Sequence, residues 1–231
     1  MLANSWSANY PVGMTRNLHH AKAPDWQDIP EEERNPFQRI AARTKGIVTV
    51  GNGFTALGTG LVLWGLSDIK KGSTGVGSAK ITLGRLCDLA DGEGAERTGT
   101  KSPLGAALDV AADYVQLGAA LPVLVDRDII PKRTAVVMGG QKVVNAVATV
   151  ISLMEGKETL TSGSGKSSTF AQWATLGGHA VTFMLEQAGN EGAAEHVQLA
   201  TNVVELAATV DGIRASAGYV ARAYEPLPIS G

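Results

Sequence analysis

The sequence predicts an all-α polytopic membrane protein, with six transmembrane helices behind a short juxtamembrane amphipathic helix. Charge-poor segments of helix length recur at regular intervals after residue 45. The first of them, Gly46 to Ser67, is 22 residues without a charge, and about 20 such residues span a bilayer as a helix. Neither period-2 alternation nor a strand–helix alternation occurs. The average composition hides this pattern. A chain of 231 residues fits one domain, and 44% hydrophobic residues, a net charge of −2 and a mean hydropathy of +0.04 resemble an ordinary soluble protein. That balance excludes a disordered chain and, by net charge, a basic nucleic-acid binder. A lone cysteine, Cys87, excludes a disulfide framework and a cysteine-rich zinc site. Glycine is the oddity, at 28 of 231 residues where ~7% is typical.

Residues 1–35 form a polar tail broken by Pro11, Pro24 and Pro30. Residues 25–34 carry five acids and one base and should be solvated. No apolar stretch follows a basic start, so no signal peptide is expected. The membrane domain is expected over 36–222, with a tail at 223–231. It opens on NPFQRIAARTK, where Phe37, Ile40 and Ala41 share one side and Arg39, Arg43 and Lys45 another. Such a helix suits a membrane surface; taken by itself, it is more simply an ordinary surface helix. For Gly46 to Ser67 the alternative is the buried helix of a soluble protein. Further helices are expected over 73–90, with Lys80 and Arg85; 103–125, with Asp109 and Asp113; 134–154, with only Lys142; 168–187; and 197–220. Turn-like or charged breaks separate them. Six spans leave both termini on one side, and a nine-to-five excess of Lys and Arg there favours the cytoplasm.

The charges inside these spans need an explanation. Asp88 and Asp91 are three residues apart and Asp109 and Asp113 four apart, so each pair shares a helix face. The link between the pairs is short, which makes the two helices antiparallel neighbours and lets four carboxylates converge. Their mutual repulsion at low dielectric becomes binding energy if divalent cations are present, and hard oxygen ligands suit Mg²⁺ or Mn²⁺. Acids within a membrane are functional-site candidates by default. Gly92 and Gly94 are expected to end the second helix and Gly105 to open the third, removing side chains beside a substrate. The bland alternative is a solvated acidic face with loop glycines.

These residues resemble a known family, the CDP-alcohol phosphotransferases, whose signature is D-x2-D-G-x2-A-R-x8-G-x3-D-x3-D. Asp88, Asp91, Gly92, Ala95, Gly105, Asp109 and Asp113 fall at the required spacing. The arginine position is the departure: it holds Glu96, with Arg97 next to it. Asn52 and Thr55 are similar to the family's N-x-x-T element beside the nucleotide. The run Gly165-Lys166 to Thr169 and Gln172 resembles the G-K-x-x-T-x-x-Q element of its phosphatidylglycerophosphate synthase branch. Residues 209–219 are similar to that branch's last helix.

The resemblance implies a membrane enzyme, usually a homodimer, that transfers a phosphatidyl group from CDP-diacylglycerol to an alcohol and releases CMP. It implies two Mg²⁺ or Mn²⁺ ions on Asp88, Asp91, Asp109 and Asp113, with Asp113 taking the proton of the attacking hydroxyl. Asn52, Thr55, Asp88, Gly92, Ala95 and Gly105 would surround the nucleotide. Arg97, Lys101, Lys166, Thr169 and Gln172 would hold the acceptor or a phosphate. The branch tilts the acceptor towards glycerol 3-phosphate. An inositol phosphate, another CDP-alcohol donor, or a homologue impaired by Glu96 are the alternatives.

Other signals carry less. GSGKSS at 163–168 lacks the first glycine of a phosphate-binding loop, since residue 160 is Leu. His19 and His20 sit in the polar tail without a partner at ligand spacing. His179 reads as a hydrogen-bonded packing residue, Cys87 as packing, and Glu205, Asp211 and Arg214 as internally paired.

Overall fold

The computed structural model describes residues 26–154 and 163–224. Most of the polar N-terminal tail, the break at 155–162 and the final seven residues lie outside the described residues. Within them the chain is helical throughout, without a strand: α1 (Pro36–Arg43), α2 (Val50–Lys70), α3 (Thr74–Thr98), α4 (Pro103–Asp126), α5 (Lys132–Met154), α6 (Gly163–Gln187) and α7 (Glu191–Ala223).

Local sequence sets most helix starts. Asn35 and Gln38 form a reciprocal capping box on α1, with Pro36 at its first position. Thr49 caps α2 by accepting from Asn52 N at 3.0 Å, and Ser102 caps α4 by accepting from Gly105 N at 2.9 Å. The second long helix outruns its expected end. Gly92 and Gly94 do not stop α3, because nothing there forces the backbone out of helical geometry. The stop is Gly99, whose φ of +64° suits glycine. Gly105 likewise lies inside α4 behind the Ser102 cap rather than opening it. Helices α6 and α7 also begin earlier than the apolar pattern indicated, at Gly163 and Glu191.

The six long helices alternate in direction. Helices α2 and α3 meet along a glycine seam in which residue numbers in contact sum to 142. A Cβ on Gly65 would lie 2.5 Å from Gly77 O, and one on Gly84 would lie 2.6 Å from Gly58 O. Gly51 closes the same row beside Asp91 O. A glycine every seventh residue keeps one stripe of α2 against α3, and the missing side chains let the two backbones touch. Helix α2 also packs on α4, and α7 packs on both α5 and α6.

Beside its apolar core, the bundle buries many polar side chains and exposes many large apolar ones. Gln116, Gln172, Thr134, Thr175 and His179 are buried. Leu57, Trp64, Leu83, Leu86, Val136, Val143, Phe170, Leu199 and Leu206 are exposed. On α1, Phe37 and Ile40 face outward, while Gln38 and Ala41 seat the helix on the bundle. Contiguous apolar exteriors of this kind mark a membrane or partner surface. Among the described residues, two stretches, Leu104–Asp126 and Lys132–Ser152, are long and apolar enough by composition to cross a membrane. The other four long helices fall short of that criterion. The six long helices expected are present among the described residues, and two of them qualify as spans by composition. The apolar core, built from Val62, Leu66, Ile69, Leu117, Leu121, Leu124, Ile129 and Met138, fills the half of the bundle away from the α3–α4 turn. The other half is polar.

Candidate active site

Helices α3 and α4 leave the Gly99–Ser102 turn in opposite directions, which sets Asp88 opposite Asp113 and Asp91 opposite Asp109. Long side chains bridge them. Arg85 donates to Asp88, to Asp113 Oδ1 at 2.9 Å and to Gln116 Oε1 at 2.8 Å. Gln116, fully buried, returns its amide to Asp88 Oδ2 at 3.1 Å and to Thr59 at 3.0 Å. The Arg85 guanidinium also lies 4.8 Å over the Trp173 ring. Thr55 donates to Asp91 Oδ2 at 2.8 Å.

Two cavities flank this cluster. The first, about 350 Å³, lies between α2, α3 and α4 and is lined by Asn52, Thr55, Asp91, Gly92, Ala95, Lys101, Gly105 and Asp109. Five of the six residues expected around a nucleotide therefore share one cavity. Asp88 lies behind it, with Oδ1 packed against Gly58. Asn52 is itself anchored: its amide nitrogen donates to Gly46 O at 3.0 Å and Ile47 O at 2.8 Å. The second cavity, about 70 Å³, lies between α4, α5, α6 and α7. Asp109, Asp113, Tyr114, Lys142, Asn145, Ser168, Thr169, Gln172 and Tyr219 line it. Asp109 belongs to both walls.

The basic residues divide. Lys101 reaches the first cavity and pairs with Glu96. Arg97 does not reach either cavity: it is 78% exposed and paired with Glu93 one turn back. The side chain of Lys166 lies outside the described residues. Sequence reasoning missed Arg85 as the bridge and Lys142 as the cation of the second cavity, where its ammonium donates to Thr169 at 2.9 Å. Lys142 is a lone charge within an apolar stretch, and Arg85 lies one helical turn before Asp88; those were the available signals. His179 is hydrogen-bonded and Glu205 internally paired, as expected; each is the other's partner, 3.3 Å apart, with Thr134 donating to the same carboxylate at 2.6 Å. Lys80 is paired with Asp68 at 2.6 Å.

Among the described residues, no group of three or more His, Cys, Asp or Glu stands preassembled around a metal position. The Asp cluster nevertheless fits a hard divalent cation in its chemistry. All four groups are carboxylates, and Asp88 Oδ1 is buried with no hydrogen-bond partner, a cost that a cation would remove. Arg85 supplies positive charge at that place.

No curated protein and no solved structure matches the chain. A family profile does: that of CDP-alcohol phosphatidyltransferase matches residues 47–210. The matched region runs from the loop before α2 into α7 and includes all four aspartates. The protein therefore belongs to the CDP-alcohol phosphatidyltransferase family, whose members transfer a phosphatidyl group from a CDP-alcohol to an acceptor.

Proposed function

We propose that the protein transfers the phosphatidyl group of CDP-diacylglycerol to a small phosphorylated alcohol, best glycerol 3-phosphate, with release of CMP. The observation that carries this is the position of Asp109 in the wall between two cavities of different character. One is glycine-lined and roomy, suited to a nucleotide. The other is lined by the Lys142 ammonium, the carboxylates of Asp109 and Asp113 and several uncharged polar groups, suited to a small phosphorylated alcohol whose hydroxyl meets a carboxylate. The preference for glycerol 3-phosphate over an inositol phosphate rests on the resemblance of residues 165–172.

In this reading Gly92, Ala95 and Gly105 leave room for CMP, while Thr55 orients Asp91. Lys142 and Thr169 bind the acceptor phosphate, with Lys166 at the start of the same helix. Asp113 takes the proton of the attacking hydroxyl at its carboxylate. Asp88, Asp91, Asp109 and Asp113 would hold two Mg²⁺ or Mn²⁺ ions, which polarise the pyrophosphate and stabilise charge on the leaving CMP. Helices of 21 to 33 residues are about 31–50 Å long at 1.5 Å per residue, enough for a hydrocarbon core of about 30 Å. Six spans in alternating directions would put both termini and the cavities on one side, and the excess of Lys and Arg in the loops there supports the cytoplasm as that side. A homodimer belongs to the same proposal.

The test is purified protein in lipid vesicles, given CDP-diacylglycerol, Mg²⁺ or Mn²⁺ and a panel of alcohols. CMP is measured and the lipid product identified. Metal-dependent CMP release with a phosphatidylglycerol phosphate product supports the proposal. No CMP with any alcohol rejects it.

A further inference from the structure

A chain of oriented amides ends at the second cavity, which Gln172 lines. Gln141, on α5, donates its side-chain nitrogen to the backbone carbonyl of Thr209 on α7, at 3.2 Å. A carbonyl only accepts, so this bond fixes which end of the Gln141 amide is which. The Gln141 oxygen then faces α6 and accepts from Gln172 Nε2 at 2.9 Å. That bond in turn fixes Gln172, leaving Oε1 as the end not used in the chain. Gln172 is 2% exposed, and its Oε1 is buried without a partner. Rotating either amide would set oxygen against oxygen. Gln141 cannot swing away easily either, because its amide fills the slot left by Gly212, where any Cβ would overlap it. Asn145, 9% exposed, adds a second buried side-chain oxygen without a partner in the same cavity.

We infer that the Thr209–Gln141–Gln172 relay presents the Gln172 oxygen as an obligatory acceptor, selecting substrates with a second hydroxyl beside the attacking one. The inference rests on the proposed transfer reaction and adds the reason for its acceptor choice. Lys142 reads the phosphate, Asp113 the reacting hydroxyl, and Gln172 with Asn145 the remaining hydroxyl. An acceptor lacking that hydroxyl leaves a buried oxygen unpaired in the complex, which costs more than a missing contact with solvent. Gln141 does not touch the substrate in this scheme; it is a positioning residue that holds the polarity of Gln172.

The experiment compares glycerol 3-phosphate with 3-hydroxypropyl phosphate, which lacks only the middle hydroxyl, in the vesicle assay. The unmodified protein is expected to favour glycerol 3-phosphate by about 10–100-fold in kcat/KM. Gln141→Leu frees Gln172 to rotate and should compress that ratio towards one, mainly by losing activity on glycerol 3-phosphate. Equal use of the two acceptors by the unmodified protein overturns the inference, with no variant needed. An unchanged ratio in Gln141→Leu overturns the relay. Absence of CMP release with every acceptor defeats the transfer reaction itself, a distinct result.

Discussion

The two cavities are built by different means. The first is made by absence: Gly51, Gly58 and Gly84 bring α2 against α3, and Gly92 and Gly105 leave room beside the aspartates. Its residues come from one continuous run of sequence and from the helix packed on it. The second is made by presence: polar side chains from four helices meet there, three each from α4 and α6, two from α5 and one from α7. A cavity carved by small residues depends on backbone approach, whereas a cavity lined by lone polar groups depends on helix rotation. The first should tolerate polar change and resist added volume; the second should do the reverse.

Asp109 is the strongest test of that contrast, because both cavities share it. Asp109→Asn or Asp113→Asn should lower CMP release by about 10²–10⁴-fold while circular dichroism stays unchanged. An Asp109→Asn protein with full activity removes the shared wall from the chemistry. Next comes the seam. Gly84→Val would drive a branched side chain towards Gly58 O and Val62, and a loss of about 3 kcal/mol or more is expected from overpacking, seen as a lowered Tm. A variant as stable as the parent shows that the two backbones do not touch.

Lys142→Met preserves length and removes the charge of the second cavity. It should raise the KM for glycerol 3-phosphate about 10–100-fold and leave the KM for CDP-diacylglycerol unchanged. Equal effects on both substrates would merge the two cavities into one. The smallest expected change is Arg85→Gln. Arg85 contributes the positive charge shared by Asp88 and Asp113, so its loss should destabilise the metal-free protein. The same change should tighten Mn²⁺ binding about five- to tenfold, read from the paramagnetic signal of the free ion. Weaker Mn²⁺ binding in the variant would show that Arg85 supports the metal rather than standing in for it.

Much of the first cavity was legible in the sequence. Spacings of three and four between acids translate into one helix face without knowledge of the fold, and Asn52, Thr55, Asp91, Gly92, Ala95, Gly105 and Asp109 do share a wall. Helix ends were less legible. Gly92 and Gly94 looked like breaks, yet glycine is tolerated inside a helix at a cost of about 1 kcal/mol, and of these and Gly99 it is Gly99 that takes a left-handed φ. Arg97 was the natural substitute for the arginine missing at Glu96. One residue along a helix is a turn of about 100°, and that rotation points it away to Glu93. Arg85, three residues before Asp88, had the direction that Arg97 lacks.

The second cavity was largely illegible. Thr169 and Gln172 were found through resemblance, but Lys142, Asn145 and Gln141 are isolated polar residues with no motif around them. All three lie on α5, which still qualifies as a span by composition, so they leave no mark in its hydropathy.

The amino-acid sequence by itself determined the helical class, the number of long helices, most caps and the pairing of aspartates, because these depend on contacts within a few residues. Only the tertiary structure decided which cation meets which acid, how the Gln141 and Gln172 amides are oriented, and that Asp109 stands between two cavities. Those outcomes depend on the rotation and register of one helix against another. They are set by close packing along the glycine seam and by hydrogen bonds between residues far apart in the chain.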